Sequence, residues 1–315
     1  MKVAGLPILS ILSVVFCCCI LILVLVFAGP AGILDNFSHV SSGFLIAGLV
    51  LVQTQIWLSA VRWRFTAARL GQELPLGRAL GEYYVSSALN LVLPGGVAGD
   101  ALRAYRVRTD TPGGWKRPAS AVVLERASGQ LAFFLLAGSG LIAWPVFLAG
   151  RLPVEFRPLL AGFWVVAGLL ALIGAALFRW VLLPRYQTIA QDLAEVFWRK
   201  GAFFVQFGLS ALIVASYAAT FLLASEAVGA PLPPLAAVTI VPLCLLSMVL
   251  PVSVGGWGTR EAAAAALWPL FGLTAAQGVS ASLLYGALCL VGAAVPAAAI
   301  ALWSFARRGP GSRKI

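Results

Sequence analysis

Arginine, a carboxylate and paired glycines recur together at two places in the chain. The first stretch reads Asn90-Leu-Val-Leu-Pro94-Gly95-Gly96-Val-Ala-Gly99-Asp100-Ala-Leu-Arg103, and the second Ser247-Met-Val-Leu-Pro251-Val-Ser-Val-Gly255-Gly256-Trp-Gly258-Thr259-Arg260-Glu261. Each runs an apolar segment into Val-Leu-Pro, then a glycine-rich break, then a helix-starting Asp or Thr with Arg close behind. The Gly95-Gly96 and Gly255-Gly256 pairs permit positive φ and close backbone approach. Asp100 and Thr259 suit the N-cap position. A glycine turn leading into a helix presents free N–H groups and the positive end of the dipole, an arrangement that binds phosphate or carboxylate. Arg103 and Arg260 would add positive charge. The chemistry on offer is anion binding; the plainer alternative is glycines that only turn and caps that only cap.

Further candidates lie near these breaks. Glu125 and Arg126 sit about two turns into an apolar stretch, where ionisable residues usually face the bundle interior and serve function. A purely structural pairing, Glu125 with Arg103 or Arg126 with Asp100, is the competing reading. Glu82, Tyr83 and Asn90 lie on the leg leading into the first break, and Glu261 can tune or pair with Arg260. Glu226 reads as interfacial. Gln53, Gln130, Gln206 and Ser216 read as polar glue between helices. The five cysteines (Cys17, Cys18, Cys19, Cys244, Cys289) lie in apolar segments without metal-ligand spacing, and the single histidine, His39, falls in a loop. Neither metal nor cofactor is expected.

These residues must be held by a membrane-embedded scaffold. The chain of 315 residues is 61% hydrophobic and only 10% charged, with a mean hydropathy of +0.97. Soluble domains carry roughly 25% charged residues. Apolar spans of about the ~20 residues needed to cross a bilayer run at 6–28, 42–60, 119–148, 159–183, 202–227 and 275–303. The stretches 77–96 and 234–256 end in the breaks, each followed by a short helical piece at 101–107 and 260–268. Irregular backbone at membrane depth survives only where protein or a watery cavity satisfies it. Each unit therefore reads as a re-entrant hairpin, with two full spans apiece as the alternative.

The basic residues orient this scheme. Of the 22 Lys and Arg, nineteen fall on one side of a six-span arrangement and only Arg151, Arg157 and Arg260 on the other, a strong positive-inside bias. Both termini are then cytoplasmic, and three full spans between the hairpins make them open to opposite faces. The fold expected is all-α: a polytopic membrane helix bundle of about six full spans plus two re-entrant hairpins arranged as an inverted repeat.

Residues 1–315 form one membrane domain in this reading. Residues 1–40 supply the first span and an outer loop, and 41–150 the first repeat half, with its hairpin near 77–108. A connecting span and a cytoplasmic amphipathic helix occupy 151–200. The second half covers 201–305, with its hairpin near 234–270, and 306–315 is a basic tail. The net charge of +11 lies beside the membrane, where it attracts anionic lipid head groups. No groove-reading module supports nucleic acid as a partner.

The two loop motifs resemble those of the lysylphosphatidylglycerol synthase transmembrane family, also called flippase-like membrane proteins. The early pattern, Asn followed by Pro-Gly, then Gly and an acidic residue with Arg, corresponds to Asn90, Pro94, Gly95, Gly99, Asp100 and Arg103. The late one corresponds to Pro251, Gly255, Gly256, Gly258, Arg260 and Glu261. The resemblance covers roughly residues 8–305. In bifunctional members it implies a soluble aminoacyltransferase domain that makes an aminoacyl lipid, and a membrane domain that translocates it. This chain runs out at Ile315 in a short basic tail, so lipid aminoacylation is not expected here.

The function expected is a lipid translocase, not an enzyme, in the bacterial cytoplasmic (inner) membrane. Its partners would be membrane lipids: an anionic phospholipid or a polyprenyl-phosphate-linked lipid. The phosphate would sit between the hairpin helix N-termini, near the residues named above in both motifs and Glu125–Arg126. A secondary transporter of a small anionic solute is the runner-up. A membrane-embedded enzyme of lipid or glycan-carrier synthesis, or a partner subunit of one, stands third.

Overall fold

The computed structural model describes residues 8–38, 40–109, 111, 113–147, 187–249 and 253–307, with positions 172, 176 and 179 between them. The expected span at 159–183, Pro251, His39, Arg151, Arg157 and the tail beyond Arg307 lie essentially outside these residues. Among the described residues the regular structure is helical throughout. Five helices among the described residues are long and apolar enough to cross a membrane.

The first of these, α1 (Ile8–Ala28), leads through a short helix α2 (Pro30–Ser38) to α3 (Ser42–Arg69). Then come α4 (Leu76–Val92) and α5 (Ala98–Arg106), separated by the first break. Helix α6 (Lys116–Phe147) follows, and after an interval α7 (Gln187–Phe197) and α8 (Ala202–Ala227). The second interrupted unit consists of α9 (Ala236–Thr239), α10 (Val241–Leu246), a 3-10 turn at Ser247–Val249, and α11 (Thr259–Leu267) beyond the break. Helix α12 (Ala275–Arg307) completes the described chain.

Three of these differ from the sequence expectation. Helix α2 occupies what reads as a plain outer loop. Helix α3 continues past residue 60 to Arg69, where Arg62 and Arg69 gain partners on neighbouring helices (below). The leg into the second break is not one apolar rod: Pro242, which lacks an N–H for the ladder, stands in the first turn of α10 and separates it from α9.

The leg lengths matter for the breaks. Helix α4 has 17 residues, which at 1.5 Å per residue is about 26 Å, short of the ~30 Å hydrocarbon core. Helices α9 and α10 together are shorter still.

Packing divides into two apolar clusters. One joins α3, α4, α5, α6 and α7 through Trp63, Ala67, Ala79, Ala104, Ala121 and Val196. The other joins α3, α6, α8, α10, α11 and α12, centred on Phe221, whose ring stacks on Tyr285 at 4.9 Å and lies against Trp268 at 5.4 Å. Each interrupted unit thus contributes to a cluster, and α3 and α6 belong to both. Helix α1 stands outside them, with Ile22, Val26 and Phe27 all more than 60% exposed, as suits a helix whose apolar surface meets lipid.

Within the membrane domain the polar residues are used as ties. Gln53 donates to the carbonyl of Gly292 and accepts from the Tyr84 hydroxyl. Gln55 donates to Thr220 Oγ1 and to the Ser216 carbonyl, and Gln206 donates to Thr66 Oγ1. These contacts join α3 to α4, α8 and α12, as helix–helix glue should. The amphipathic α7 is held to α3 by Arg69, which donates to the Glu195 carbonyl and pairs with its carboxylate at 3.0 Å.

Candidate functional site

The two breaks touch. Pro94 and Val254 form an isolated antiparallel bridge, so the motifs that open this chain's chemistry meet backbone to backbone. Gly255 shows why glycine is needed there. It takes φ +57°, and a Cβ at this position would lie 2.4 Å from the carbonyl oxygen of Leu91 in α4. The first break makes a similar demand where its two helices fold together: a Cβ on Gly99 would lie 2.1 Å from the Ser86 carbonyl oxygen.

The helix starts are built differently from the sequence expectation. Asp100 is not an N-cap: α5 begins at Ala98, placing Asp100 within the first turn. The cap comes from the opposite leg, where Asn90 Oδ1 accepts the Gly99 N–H at 2.8 Å. Thr259 is likewise inside the helix, one residue after Gly258. Its hydroxyl donates to the carbonyls of Ser247 and Gly256, and Glu261 Oε2 accepts the Gly258 N–H at 2.6 Å. Free N–H groups at these two ends are thereby partly consumed by the protein's own side chains.

Arg103 and Arg260 are also occupied. Arg103, 1% exposed, pairs with Glu125 at 2.7 Å and Asp100 at 2.9 Å. Its guanidinium lies 4.7 Å from the Trp63 ring and 4.5 Å from that of Tyr83. Arg260, fully buried, pairs with Glu261 at 2.7 Å, donates to Ser282 and lies 5.1 Å from both the Trp257 and the Tyr285 rings. The two arginines share one design: a guanidinium flanked by two aromatic faces, where cation–π attraction is strongest when desolvated, and clamped by a carboxylate. Neither is among the residues that line the cavity at the breaks.

A cavity of about 500 Å³ does open beside the paired breaks. Of the residues singled out in the sequence, Asn90, Gly95, Gly96, Asp100, Glu125, Arg126 and Gly255 line it. Pro94, Gly256, Thr259, Arg260 and Glu261 stand behind the wall, and Pro251 lies outside the described residues. The cation that faces the cavity most openly is Arg126, whose side chain is 37% exposed. It forms an ion pair with Asp100 and donates to the Gly96 carbonyl, across the first break. Both pairings entertained as structural alternatives, Glu125 with Arg103 and Arg126 with Asp100, are therefore formed.

Arg62 is the residue the sequence reading missed. In the sequence it counts only as one of the nineteen basic residues on the positive side, but it is buried in α3, lines the cavity and pairs with Glu125 at 2.7 Å. A signal was available. Gln55, Ser59, Arg62 and Thr66 recur at spacings of four, three and four, which puts them on one helix face, and all four are buried. A polar stripe on an apolar helix marks an interior face. Gln130, read as glue, also lines the cavity, and its Oε1 has no hydrogen-bond partner.

One network joins these groups. Glu125 Oε1 accepts from Arg62 and from the Tyr83 hydroxyl, while Oε2 accepts from Arg103. Asp100 accepts from Ser86 and from the Asn90 amide in addition to its two arginines. The remaining wall is largely apolar and aromatic, including Phe133, Tyr217, Met248 and Tyr285. Such a chamber holds a charged group at one side and apolar groups at the other.

The family model described as the lysylphosphatidylglycerol synthase TM region matches residues 9–297. No curated protein matches the chain.

Proposed function

Because the chain belongs to the lysylphosphatidylglycerol synthase transmembrane family, a family of multi-pass membrane proteins involved in lipid handling, we propose that it is a flippase-like lipid translocase. It moves an anionic or phosphate-bearing lipid between leaflets without making or breaking bonds. The observation that carries this reading is the cavity at the meeting point of the two breaks, with Arg126 and Arg62 on its wall. The phosphate is met there by side chains, Arg126 foremost, and not by the two helix N-termini. Exposed Val92, Leu93 and Val97 beside the first break offer an apolar path for acyl chains.

The paired legs that fall short of a full span and the matching arginine clamps support an inverted repeat with re-entrant hairpins. Interrupted helices at the interface of such repeats are where transporters bind their substrates, and rocking of one half against the other alternates access. The Pro94–Val254 contact is the natural seam for that motion. The positive-inside distribution supports an inner-membrane placement with cytoplasmic termini. No P-loop is present in the sequence, so a gradient, metabolic pull or passive scrambling supplies the direction.

Reconstitution tests this. Purified protein in liposomes should speed leaflet exchange of at least one labelled lipid in a panel of anionic phospholipids and polyprenyl-phosphate lipids. Exchange no faster than in empty liposomes across the whole panel would sink the proposal. Uptake of a small anionic solute in its place would establish the runner-up.

A further inference from the structure

Four carboxylates are buried among the described residues: Glu82, Asp100, Glu125 and Glu261. Three of them are held on both oxygens. Asp100 accepts from Ser86 and Arg103 on one oxygen and from Asn90 and Arg126 on the other. Glu125 accepts from Arg62 and Tyr83 on Oε1 and from Arg103 on Oε2. Glu261 accepts from Arg260 and Ser282 on Oε1 and from the Gly258 N–H on Oε2. Glu82 is the exception. Its side chain is 10% exposed, its Oε1 meets Arg106 Nε at 3.2 Å, and its buried Oε2 has no hydrogen-bond partner among the described residues. An unmade bond on a buried group is costly, and most costly when the group is charged. A proton on Oε2 removes that charge.

The cations decide which acid can be neutralised. Removing the charge of Glu125 or Glu261 leaves a buried guanidinium short of its counter-charge, since Arg62, Arg103 and Arg260 are 5%, 1% and 0% exposed, and such a loss is strongly destabilising. A proton on Asp100 would have to displace one of its four donors. Arg106 is 46% exposed and stays solvated without its partner. The charges facing Glu82 are Arg106 of α5 and Arg78 of its own helix, which is exposed as well; α3 and α12, also packed on α4, bring none among the described residues. Glu82 is also linked to the cavity. Glu82, Ser86 and Asn90 recur every four residues of α4, and Asp100, Arg103 and Arg106 every three of α5, so each set shares one helix face. The two faces meet in rungs, Glu82 on Arg106 and then Ser86 and Asn90 on Asp100. The last three line the cavity.

Resting on the translocase reading, we propose that Glu82 is a proton-binding site that couples lipid movement to a proton gradient. The proton adds to Oε2, the ion pair opens and Arg106 turns to solvent, which loosens the α4–α5 contact along one wall of the cavity. Loss of the proton restores the pair. One proton is taken up from one face and released to the other per cycle, and no bond of the lipid is made or broken.

Two readouts on the whole protein test this, one of them free of transport. In detergent, infrared spectra across a pH series should show a protonated-carboxyl band that titrates in wild type, is lost in Glu82→Gln and is kept, shifted, in Glu82→Asp. A band unchanged in Glu82→Gln overturns the proton site. In liposomes held at zero membrane potential with a pH difference of one unit, one proton per lipid supports a leaflet distribution of labelled lipid up to about tenfold uneven. Wild type should build such an asymmetry and reverse it when the gradient is reversed. Glu82→Gln should reach the same distribution whatever the gradient, and Glu82→Asp should respond as wild type does. Lipid exchange by wild type that ignores the gradient overturns the coupling and leaves translocation standing. A titrating Glu82 in a protein that exchanges no lipid of the panel keeps the proton site and defeats translocation, and the coupling with it.

Discussion

Glu125 sits at the centre of the charged network, fully buried, with Arg62 on one oxygen and Arg103 on the other. Removing one partner of a buried ion pair costs about 3–5 kcal/mol, because it leaves the other charge uncompensated. Glu125→Gln leaves Arg62 without a carboxylate and Arg103 with Asp100 alone. We expect it to lower the detergent-solubilised melting midpoint sharply and to reduce the folded yield. A midpoint unchanged from wild type would mean that the network is not what holds α3, α5 and α6 together. Arg103 and Arg260 belong to the same stabilising class. With their aromatic faces and carboxylates in place, they fix the two break helices to the bundle. Arg126 differs in being half-accessible and paired across the break, and so is the arginine a ligand can reach.

At the scale of elements, the breaks are joints whose geometry tolerates little change. Gly255→Ala introduces a Cβ 2.4 Å from a backbone oxygen at positive φ, so the backbone itself must shift. A destabilisation of about 1–3 kcal/mol is expected, read as a lower melting midpoint. Gly77→Ala, with nothing within 4 Å and in a helix that favours Ala, is the control and should be neutral or slightly stabilising. If both behave alike, close approach is not what Gly255 provides. The seam can be locked as well. Bridged residues in antiparallel pairs have Cα atoms about 4.5–5.5 Å apart, within the range of a disulfide. Oxidised Pro94→Cys/Val254→Cys should form an intramolecular crosslink and lose lipid exchange, recovering it on reduction. Full exchange by the crosslinked protein would show that the breaks need not part during transport.

How far these elements were legible varied with the physics behind them. The ends of α8 coincide with the apolar span read from the sequence, 202–227, since an uninterrupted apolar run has one simple outcome in a bilayer. Both breaks were legible because Pro and Gly act locally. The cap of α5 was not. Its acceptor is Asn90, nine residues upstream on the other leg, and nothing in the local string says that the two legs fold together closely enough for that bond.

At the scale of the molecule, the two apolar clusters share α3 and α6, which run through both and tie the two interrupted units together. If the positive-inside distribution sets the sides, reporter fusions at the N-terminus and after Ile315 should both be active as cytoplasmic reporters. An external position for either would reverse or break the inverted-repeat scheme, since the nineteen-to-three distribution of basic residues depends on it.

The sequence by itself determined that this is a helical membrane protein with two glycine-rich interruptions carrying arginine and carboxylate. Those properties follow from composition, from runs of apolar residues and from the local chemistry of Pro and Gly. Only the tertiary structure decided which arginines are bound up and which one faces the cavity. Arg62 reaches a carboxylate 63 residues away, and Arg126 reaches across a break to Asp100. Such pairings depend on how the helices cross and rotate against one another. The spacing of residues along one helix sets which face they share; it does not set what that face will meet.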